Sequence, residues 1–363
     1  MLHPTIFPIL ANWVAGQTPS LVELEQLVDD TLASPQQAKA FGITPMNVVE
    51  VIEERSHIFR AVSPNVLSLI SFTNPQATLL TLWYFWLPLA IQLASLRQQL
   101  ARPLIQGILG GQGTGKTTLA TVLRVILDHF GYRTLSLSLD DLYKTYAERQ
   151  SLQQQDPRLI WRGPPGTHDV ELGKQLLDQL RQPNLNRPVL VPRFDKSAYR
   201  GIGDRTFPEP VEGVDIVLFE GWFVGVRPLN PAVFDATTPA PIQTLGDREA
   251  LLQSADHLFA RDINNQLQDY VPLWSRLDRL MILYPVDYRL SKQWRRQAEQ
   301  QMIATGKTGM TDAQVDEFVE YFWRALHPEL FITPLTKNPS LVDLVVEINA
   351  DHSVGAIYQP GDV

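Results

Sequence analysis

Residues 104–118 read LIQGILGGQGTGKTT: a short apolar run, then closely spaced glycines, then a lysine and two threonines. The part from Gly110 to Thr117 fits the pattern G-x-x-x-x-G-K-[ST], the Walker A phosphate-binding loop. Glycines let the backbone turn tightly and direct several N–H groups at phosphate oxygens. The pattern therefore predicts a strand, a nucleotide-binding loop and the start of a helix, in that order.

This loop predicts a site for ATP and Mg²⁺. Lys116 is expected to be catalytic by reaching the β- and γ-phosphates, and the Thr117 hydroxyl is expected to ligate Mg²⁺. The positive end of the helix that starts near Lys116 adds to the attraction for phosphate. The residues expected to contact the nucleotide are Gly110, Gly111, Gln112, Gly113, Thr114, Gly115, Lys116, Thr117 and Thr118.

From Leu104 onward, strand patterns alternate with helix patterns. Apolar runs predict five strands over Leu104–Leu109, Thr134–Leu139, Val214–Phe219, Leu280–Tyr284 and Leu341–Ile348. Helical spacing covers Thr117–Phe130 and the segment from Asp169 to about Leu180. Such alternation predicts a three-layer α/β fold, with a five-stranded parallel sheet covered by helices on both faces. Because ligands bind at the carboxyl ends of such strands, the side chains there are the site candidates.

Residues 1–100 read as an N-terminal helical extension of a P-loop domain that spans residues 101–363. Amphipathic spacing over Val22–Leu32 and Val48–Ile58 indicates helices, and no residue pattern there points to chemistry. The uncharged run Thr78–Leu96 is long enough to cross a bilayer. Pro88 and Gln92 interrupt it, which favours a buried helix over a membrane helix.

The composition narrows the classes of partner. The chain has 363 residues and a formal net charge of -8, with no basic stripe of the kind that binds nucleic acid. It has no cysteine, which excludes disulfides and cysteine metal sites and is compatible with a reducing compartment, so we expect a cytoplasmic protein. Met1–Gly16 lacks a basic region and a cleavage site, which predicts no signal peptide. The sequence makes no prediction of the oligomeric state.

Two of the predicted strands end in carboxylates. Asp140 and Asp141 close the second strand, and Glu220 follows the third. A carboxylate of the pair can orient an acceptor hydroxyl and take its proton, and either can act through Mg²⁺ instead; we favour Asp140 as the base. Asp141 and Glu220 join Thr117 as expected metal ligands. The alternatives are a helix N-cap for the pair and a solvated strand end for Glu220.

Basic residues follow these acids along the chain. His168, in the stretch Gly166–Asp169, is expected to hydrogen-bond an acceptor carboxylate, and Asp169 is expected to cap the next helix. Arg193, Lys196 and Arg205 lie in a loop punctuated by glycines, and arginine can grip a carboxylate with two hydrogen bonds. These residues predict a small anionic acceptor. A solvated surface loop is the alternative.

A second basic segment follows the fourth strand. Arg295 and Arg296 are expected to close over the phosphates as a lid and to neutralise charge in the transition state, with Arg295 in the catalytic role. Lys307, in the turn Gly306–Gly309, is a weaker candidate of the same kind. A solvated basic helix face is the alternative.

The order of these parts resembles the uridine kinase, phosphoribulokinase and pantothenate kinase superfamily and, within it, the D-glycerate 3-kinase family of plants, fungi and cyanobacteria. The matching stretches are Ser138–Tyr143, Gly166–Asp169, Phe194–Ser197, Gly201–Arg205, Phe219–Trp222, Trp294–Arg295 and Gln297–Glu299. They lie within residues 104–310, and the resemblance is weak over residues 1–100.

The resemblance implies a kinase that transfers a phosphate from ATP to a small hydroxy acid, D-glycerate, and forms 3-phosphoglycerate, a carbon-salvage step of photorespiration. It implies that Asp140 lies by the acceptor hydroxyl with Tyr143 close by. It also implies the strand order second, third, first, fourth, fifth. The alternatives are another acceptor, such as uridine, pantothenate or a sugar phosphate, or a nucleotide-dependent regulatory protein. A GTPase is disfavoured because the chain contains no Asn-Lys-x-Asp motif.

Overall fold

The computed structural model describes residues 4–69, 74–183, 187–234, 256–306 and 309–362. The strands are β1 Leu104–Gly110, β2 Thr134–Ser138, β3 Val189–Val191, β4 Phe194–Asp195, β5 Asp204–Arg205, β6 Glu209–Val211, β7 Ile216–Gly221, β8 Arg279–Pro285, β9 Leu344–Ile348 and β10 Val354–Tyr358. The α-helices are α1 Phe7–Val14, α2 Leu21–Leu32, α3 Pro35–Ala40, α4 Val48–Leu69, α5 Pro75–Thr81, α6 Leu87–Gln99, α7 Lys116–His129, α8 Tyr146–Gln155, α9 Val170–Leu180, α10 Asp256–Gln266, α11 Val271–Trp274, α12 Leu290–Ala304, α13 Asp312–Ala325 and α14 Pro328–Phe331.

Shorter turns connect these elements. One π-helical turn covers Leu82–Trp86, and the 3₁₀ turns are Pro4–Ile6, Leu139–Leu142, Ala198–Gly201, Pro231–Phe234, Leu267–Tyr270 and Thr333–Lys337. The helix predicted after Asp169 is confirmed as α9. Its N-cap is Asp169, whose carboxylate accepts a hydrogen bond from the N–H of Leu172 at 3.0 Å.

The central sheet of the described residues has the order β10-β9-β8-β1-β7-β2. The pairs from β2 through β7, β1 and β8 to β9 are all parallel, which confirms the predicted three-layer α/β fold and its strand order. The prediction of five strands is one short, because β10 adds antiparallel to β9 after a tight turn. The segment Val354–Tyr358 is short and contains Gly355, so it carries little strand signal.

Both faces of the sheet are covered. Along β1, Leu104 and Ile108 pack into one hydrophobic cluster, and Ile105 and Leu109 pack into the other, because successive strand side chains point to opposite faces. The first cluster contains α7 and the N-terminal helices, and the second contains α9, α10 and α13. Residues 1–100 therefore form part of a layer that shares its core with the sheet.

The apolar run predicted as a buried helix lies within α5, the π turn and α6, which together span Pro75–Gln99. This segment is long and apolar enough to cross a membrane, yet 72% of its most apolar window is buried inside the protein. The Trp83 ring lies 5.8 Å from Trp13 and 5.6 Å from Phe59, so the helix packs as a core element. The π turn precedes Pro88, whose ring would clash with a carbonyl in a regular helix.

Candidate active site

The phosphate loop runs from the end of β1 to the start of α7. Gly113 and Gly115 have φ angles of 80° and 87°, in the left-handed region that glycine adopts without strain. The Thr114 hydroxyl donates a hydrogen bond of 2.9 Å to the carbonyl of Gly111 and fixes the turn. The backbone N–H groups at the start of α7 thus form the cradle that phosphate oxygens require.

Lys116 lies across this loop. Its Nζ donates hydrogen bonds of 2.7 and 2.9 Å to the carbonyl oxygens of Gly110 and Gly111. Burial lowers the pKa of Lys116, and the negative charges of Glu220 and Asp140 act in the opposite direction. The structure therefore brings together the lysine and two of the strand-end acids.

Asp140 stands on the 3₁₀ turn that ends β2. Its Oδ2 lies 2.6 Å from Nζ of Lys196, and its carboxylate accepts a hydrogen bond from the Tyr143 hydroxyl. Burial raises the pKa of the Asp140 carboxyl, but the charge of Lys196 and the hydrogen bonds from Lys196 and Tyr143 outweigh this effect and leave the pKa below its ordinary value. Asp140 is therefore ionised at neutral pH and able to accept a proton.

The surroundings of Asp141 differ from those of Asp140. Its Oδ2 accepts hydrogen bonds of 3.0 Å from the Ser138 N–H and from Nη1 of Arg193. Arg193 is also bound to Glu209 and to the carbonyl of Ser136. Ser138 is the N-cap of the turn, and Asp141 completes its capping box. The predicted roles of Asp141 in metal binding and of Arg193 in acceptor binding both require release from this ion pair.

The aromatic ring of Tyr143 lies beside Asp140. Its ring stacks on His168 at 4.5 Å, and both side chains are buried. Nδ1 of His168 shares a hydrogen bond of 2.8 Å with the Tyr270 hydroxyl, and burial lowers the pKa of His168 to about 3. His168 is therefore neutral, and its buried Nε2 has no partner among the described residues. His168 can therefore form a hydrogen bond with the substrate that accepts the phosphate, but it carries no charge.

Arg205 contacts the backbone of Tyr143. Its Nε donates a hydrogen bond of 2.7 Å to the carbonyl of Tyr143, and its Nη2 lies 3.1 Å from the carboxylate of Asp169, the cap of α9. Of the five residues expected to bind the acceptor, Tyr143, His168 and Lys196 lie around Asp140. Arg205 reaches this cluster through a backbone contact.

Arg162 joins the same cluster and was missed from the sequence. Its Nη1 donates hydrogen bonds of 2.8 Å to the carbonyls of Gly201 and Ile202, and its guanidinium carbon lies 5.5 Å from the Phe194 ring centre and 6.0 Å from that of Tyr143. Its Nε and Nη2 have no hydrogen-bond partner among the described residues. The only signal in the sequence was one arginine before the stretch Gly166–Asp169.

Arg149 lies against the same rings and differs in its hydrogen bonds. Its guanidinium donates to the carbonyl oxygens of Lys144, Ile202 and Gly203 and is buried. These bonds fix the loop around Gly203 beside Tyr143. Arg149 is thus a structural neighbour of the site, whereas Arg162 keeps donors for a ligand.

The predicted lid helix is α12. It contacts the phosphate loop through Trp294: a Cβ added to Gly113 would lie 2.5 Å from the Trp294 Cβ. The indole Nε1 donates a hydrogen bond of 3.0 Å to Ala350, and the ring stacks on His352 at 4.7 Å. The sequence drew attention to the arginines of this helix, but the structure places the tryptophan against the loop.

The lid arginines are held by neighbouring acids. Arg295 lies 2.5 Å from the carboxylate of Glu299 and over the Phe318 ring, and Arg296 pairs with Asp316. The catalytic role of Arg295 stays a prediction, and it requires release of the guanidinium from Glu299. Lys307 lies outside the described residues.

The residues fit a Mg²⁺ ion that is bound mainly by nucleotide phosphates. The described part of the chain contains no group of three or more His, Asp or Glu side chains arranged to hold a metal. Thr117 lies exposed on the first turn of α7, and Glu220 lies near the end of β7. Mg²⁺ usually takes one or two protein ligands together with phosphates and water.

Comparison with known proteins agrees with this arrangement. No family model matches the chain. A solved D-glycerate 3-kinase from Cryptococcus neoformans is 30% identical and superposes with a TM-score of 0.64, over 74% of this chain and 95% of that one. The chain belongs to the D-glycerate 3-kinase family of P-loop kinases.

Curated relatives extend the comparison of this family member. The chloroplastic D-glycerate 3-kinase of Arabidopsis thaliana is 28% identical over 366 residues, which cover 93% of this chain and 74% of that protein. An uncharacterised kinase of Schizosaccharomyces pombe is 32% identical over 229 residues, or 61% of this chain and 79% of that protein. Because the plant match covers so much of the chain, it includes most of residues 1–100, where little resemblance was expected.

Proposed function

We propose that this chain transfers the γ-phosphate of ATP to the terminal hydroxyl of D-glycerate, forming 3-phosphoglycerate and ADP. One observation carries the proposal: the Asp140 carboxylate binds Lys196 and Tyr143 and also interacts electrostatically with the phosphate-loop lysine. The negative charge of Asp140 acts on the pKa of Lys116, and Lys196, Tyr143 and His168 all interact with the Asp140 carboxylate.

The donors suit an acceptor that carries one carboxylate. Arg162 has free donor groups above the Tyr143 ring, and Lys196 is 63% exposed, so both are accessible to a ligand. Arginine binds carboxylates with two parallel hydrogen bonds. A carboxylate held at Arg162 would fix one end of a three-carbon acid and leave its terminal hydroxyl near Asp140.

The chemical step then follows from the charges. The ionised Asp140 accepts the proton of the hydroxyl as the oxygen attacks the γ-phosphorus, and ADP leaves. Lys116 and the N–H groups of the phosphate loop stabilise the charge on the transferred phosphoryl group. Thr117 and Glu220 would hold Mg²⁺, which when bound neutralises charge on the phosphates.

A coupled assay of ADP release across D-glycerate, uridine, pantothenate and ribulose 5-phosphate tests this proposal. We expect ADP release only with an acceptor and fastest turnover with D-glycerate. Lys116→Met serves as the control for contaminating kinases. Faster turnover of uridine, or ATP consumption that is independent of any acceptor, would contradict the proposed reaction.

A further inference from the structure

A cleft of about 530 Å³ opens at the end of the sheet opposite to the phosphate loop. Its charged lining consists of Arg97, Arg102, Arg133, Arg187, Glu212 and Asp215, and these residues define what we call the arginine cleft. A volume of this size accommodates a small metabolite.

The arginine cleft is separate from the active site. Arg133 and Asp215 directly precede β2 and β7, so they lie at the amino ends of strands whose carboxyl ends carry the site residues. The strand β1 between the two ends spans Leu104–Gly110, which is about 20 Å at the usual rise per residue. A ligand in the cleft therefore cannot contact the phosphate loop.

The cleft lining holds four arginines against two acids, Asp215 and the exposed Glu212, so its charge is net positive. Asp215 lies 3.0 Å from Arg97 but 3.9 Å from Arg133, whose side chain is 69% exposed. Arg102 pairs with Asp278 at 2.6 Å. Arg187 is exposed and has no ion pair or hydrogen bond among the described residues. Arg133 and Arg187 thus retain donors for an anion.

The backbone supports the position of Arg133. A Cβ added to Gly213 would lie 2.2 Å from the Arg133 guanidinium, so the side chain packs directly on this glycine. The Arg133 N–H also donates a hydrogen bond of 3.0 Å to Asp215. Arg97, at the end of α6, meets the same aspartate, which places the cleft at the junction of the N-terminal helices and the sheet.

We propose that the arginine cleft is a second ligand site, which binds a small anion carrying two or more phosphate or carboxylate groups. Guanidinium groups bind either kind of group with two hydrogen bonds, and several of them around one cleft favour multiply charged ligands. Because such a ligand would bind the folded chain and not the unfolded one, binding also stabilises the folded chain.

Calorimetric titration tests this site, with inorganic pyrophosphate and citrate as separate probes in metal-free buffer. In the Lys116→Met variant we expect one equivalent of probe to bind, since the cleft is intact. With Arg133→Gln and Arg187→Gln added to Lys116→Met, we expect that equivalent to bind roughly tenfold or more weakly, because two charged donors are lost. The relative affinities of pyrophosphate and citrate distinguish a phosphate ligand from a carboxylate ligand.

The matched control is Arg124→Gln, which removes the same charge from an exposed position of α7 outside the cleft. Circular dichroism of the triple variant, and turnover of Arg133→Gln/Arg187→Gln with Lys116 intact, check that the cleft substitutions leave the chain folded. Single Arg187→Gln provides a second variant, because this exposed side chain has no partner among the described residues. The proposal is overturned if Lys116→Met removes all binding, or if both cleft variants bind the probes as tightly as Arg124→Gln does.

Discussion

Nζ of Lys196 lies 2.6 Å from Oδ2 of Asp140, at the end of β2. The lysine comes from a loop far along the chain, yet it meets the carboxylate that the proposed reaction uses as its base. Burial alone would raise the pKa of Asp140, and the charge of Lys196 is the main influence that lowers it. The ion pair therefore keeps the base ionised.

Lys196→Met is expected to raise the pKa of Asp140. Activity is lost as pH falls through that pKa, so the acid limb of the pH profile of kcat/KM should move upward by about one pH unit, the usual effect of losing an opposite charge. Lys174→Met, on the exposed face of α9, is the control. An acid limb that stays where it is in the parent protein rules out this role for Lys196.

Lys116→Met is expected to reduce kcat by roughly a hundredfold or more while the protein stays folded. The lysine supplies a charge that stabilises the transferred phosphoryl group in a buried site, where such terms are large. Steady-state rates and circular dichroism of the variant check this expectation. A rate within about tenfold of the parent value would show that the loop does not hold the reacting phosphate.

Asp140→Asn is expected to lower kcat by roughly a hundredfold or more, with a much smaller change in the KM for D-glycerate. The substitution keeps the shape of the side chain and removes its ability to take the proton. Asp141→Asn is the comparison, since Asp141 caps its own turn and pairs with Arg193. If Asp141→Asn has the larger effect on kcat, the assignment of the base is reversed.

Arg162→Gln is expected to raise the KM for D-glycerate roughly tenfold or more and to leave the KM for ATP nearly unchanged. The guanidinium has donors that form no hydrogen bond with the described residues, and it lies above the Tyr143 ring, where the acceptor is proposed to bind. Arg158→Gln, whose ion pairs lie with Asp156 and Asp262, is the matched control. Equal changes in both KM values would contradict a specific contact with the acceptor.

His168 should make the stability of the protein sensitive to acid. Its pKa is about 3 in the folded chain because of burial, below the ordinary value of 6.5. Between these two pH values the histidine is protonated in the unfolded chain and neutral in the folded chain. The stability present above about pH 6.5 is therefore lost as the pH falls towards 3, and the free energy of unfolding decreases by about 1 kcal/mol per pH unit.

The His168→Gln variant should show a shallower loss of unfolding free energy over that range of pH, measured by urea denaturation. His57→Gln removes an exposed histidine from α4 and should keep the slope of the parent protein. Parallel stability curves for His168→Gln and the parent would mean that His168 is protonated equally in the folded and unfolded chains.

The sequence was sufficient for the parts of the fold that local pattern determines. The phosphate loop, the strand before it and α7 follow from glycine spacing and apolar periodicity, and the strand order followed from the family resemblance. The strand β10 was missed because five residues with a glycine carry almost no periodic signal. The π turn within Pro75–Gln99 likewise depends on one proline and on packing.

The pairing of charged side chains could not be read from the sequence. Arg193 and Asp141 lie 52 positions apart, and nothing in their spacing shows that they neutralise each other. The same holds for Arg162 beside Tyr143 and for Trp294 on Gly113. A sequence gives the residue types near a site, whereas the choice of partners depends on how the loops fold over the sheet.

The central claim is that D-glycerate is phosphorylated on its terminal hydroxyl at Asp140. Its most direct test is the ³¹P and ¹³C NMR spectrum of the product formed from D-glycerate, ATP and Mg²⁺ by the parent protein, with Asp140→Asn run in parallel. The account predicts 3-phosphoglycerate as the product of the parent protein and almost none from the variant. Formation of 2-phosphoglycerate, or of ADP without any phosphoglycerate, would contradict it.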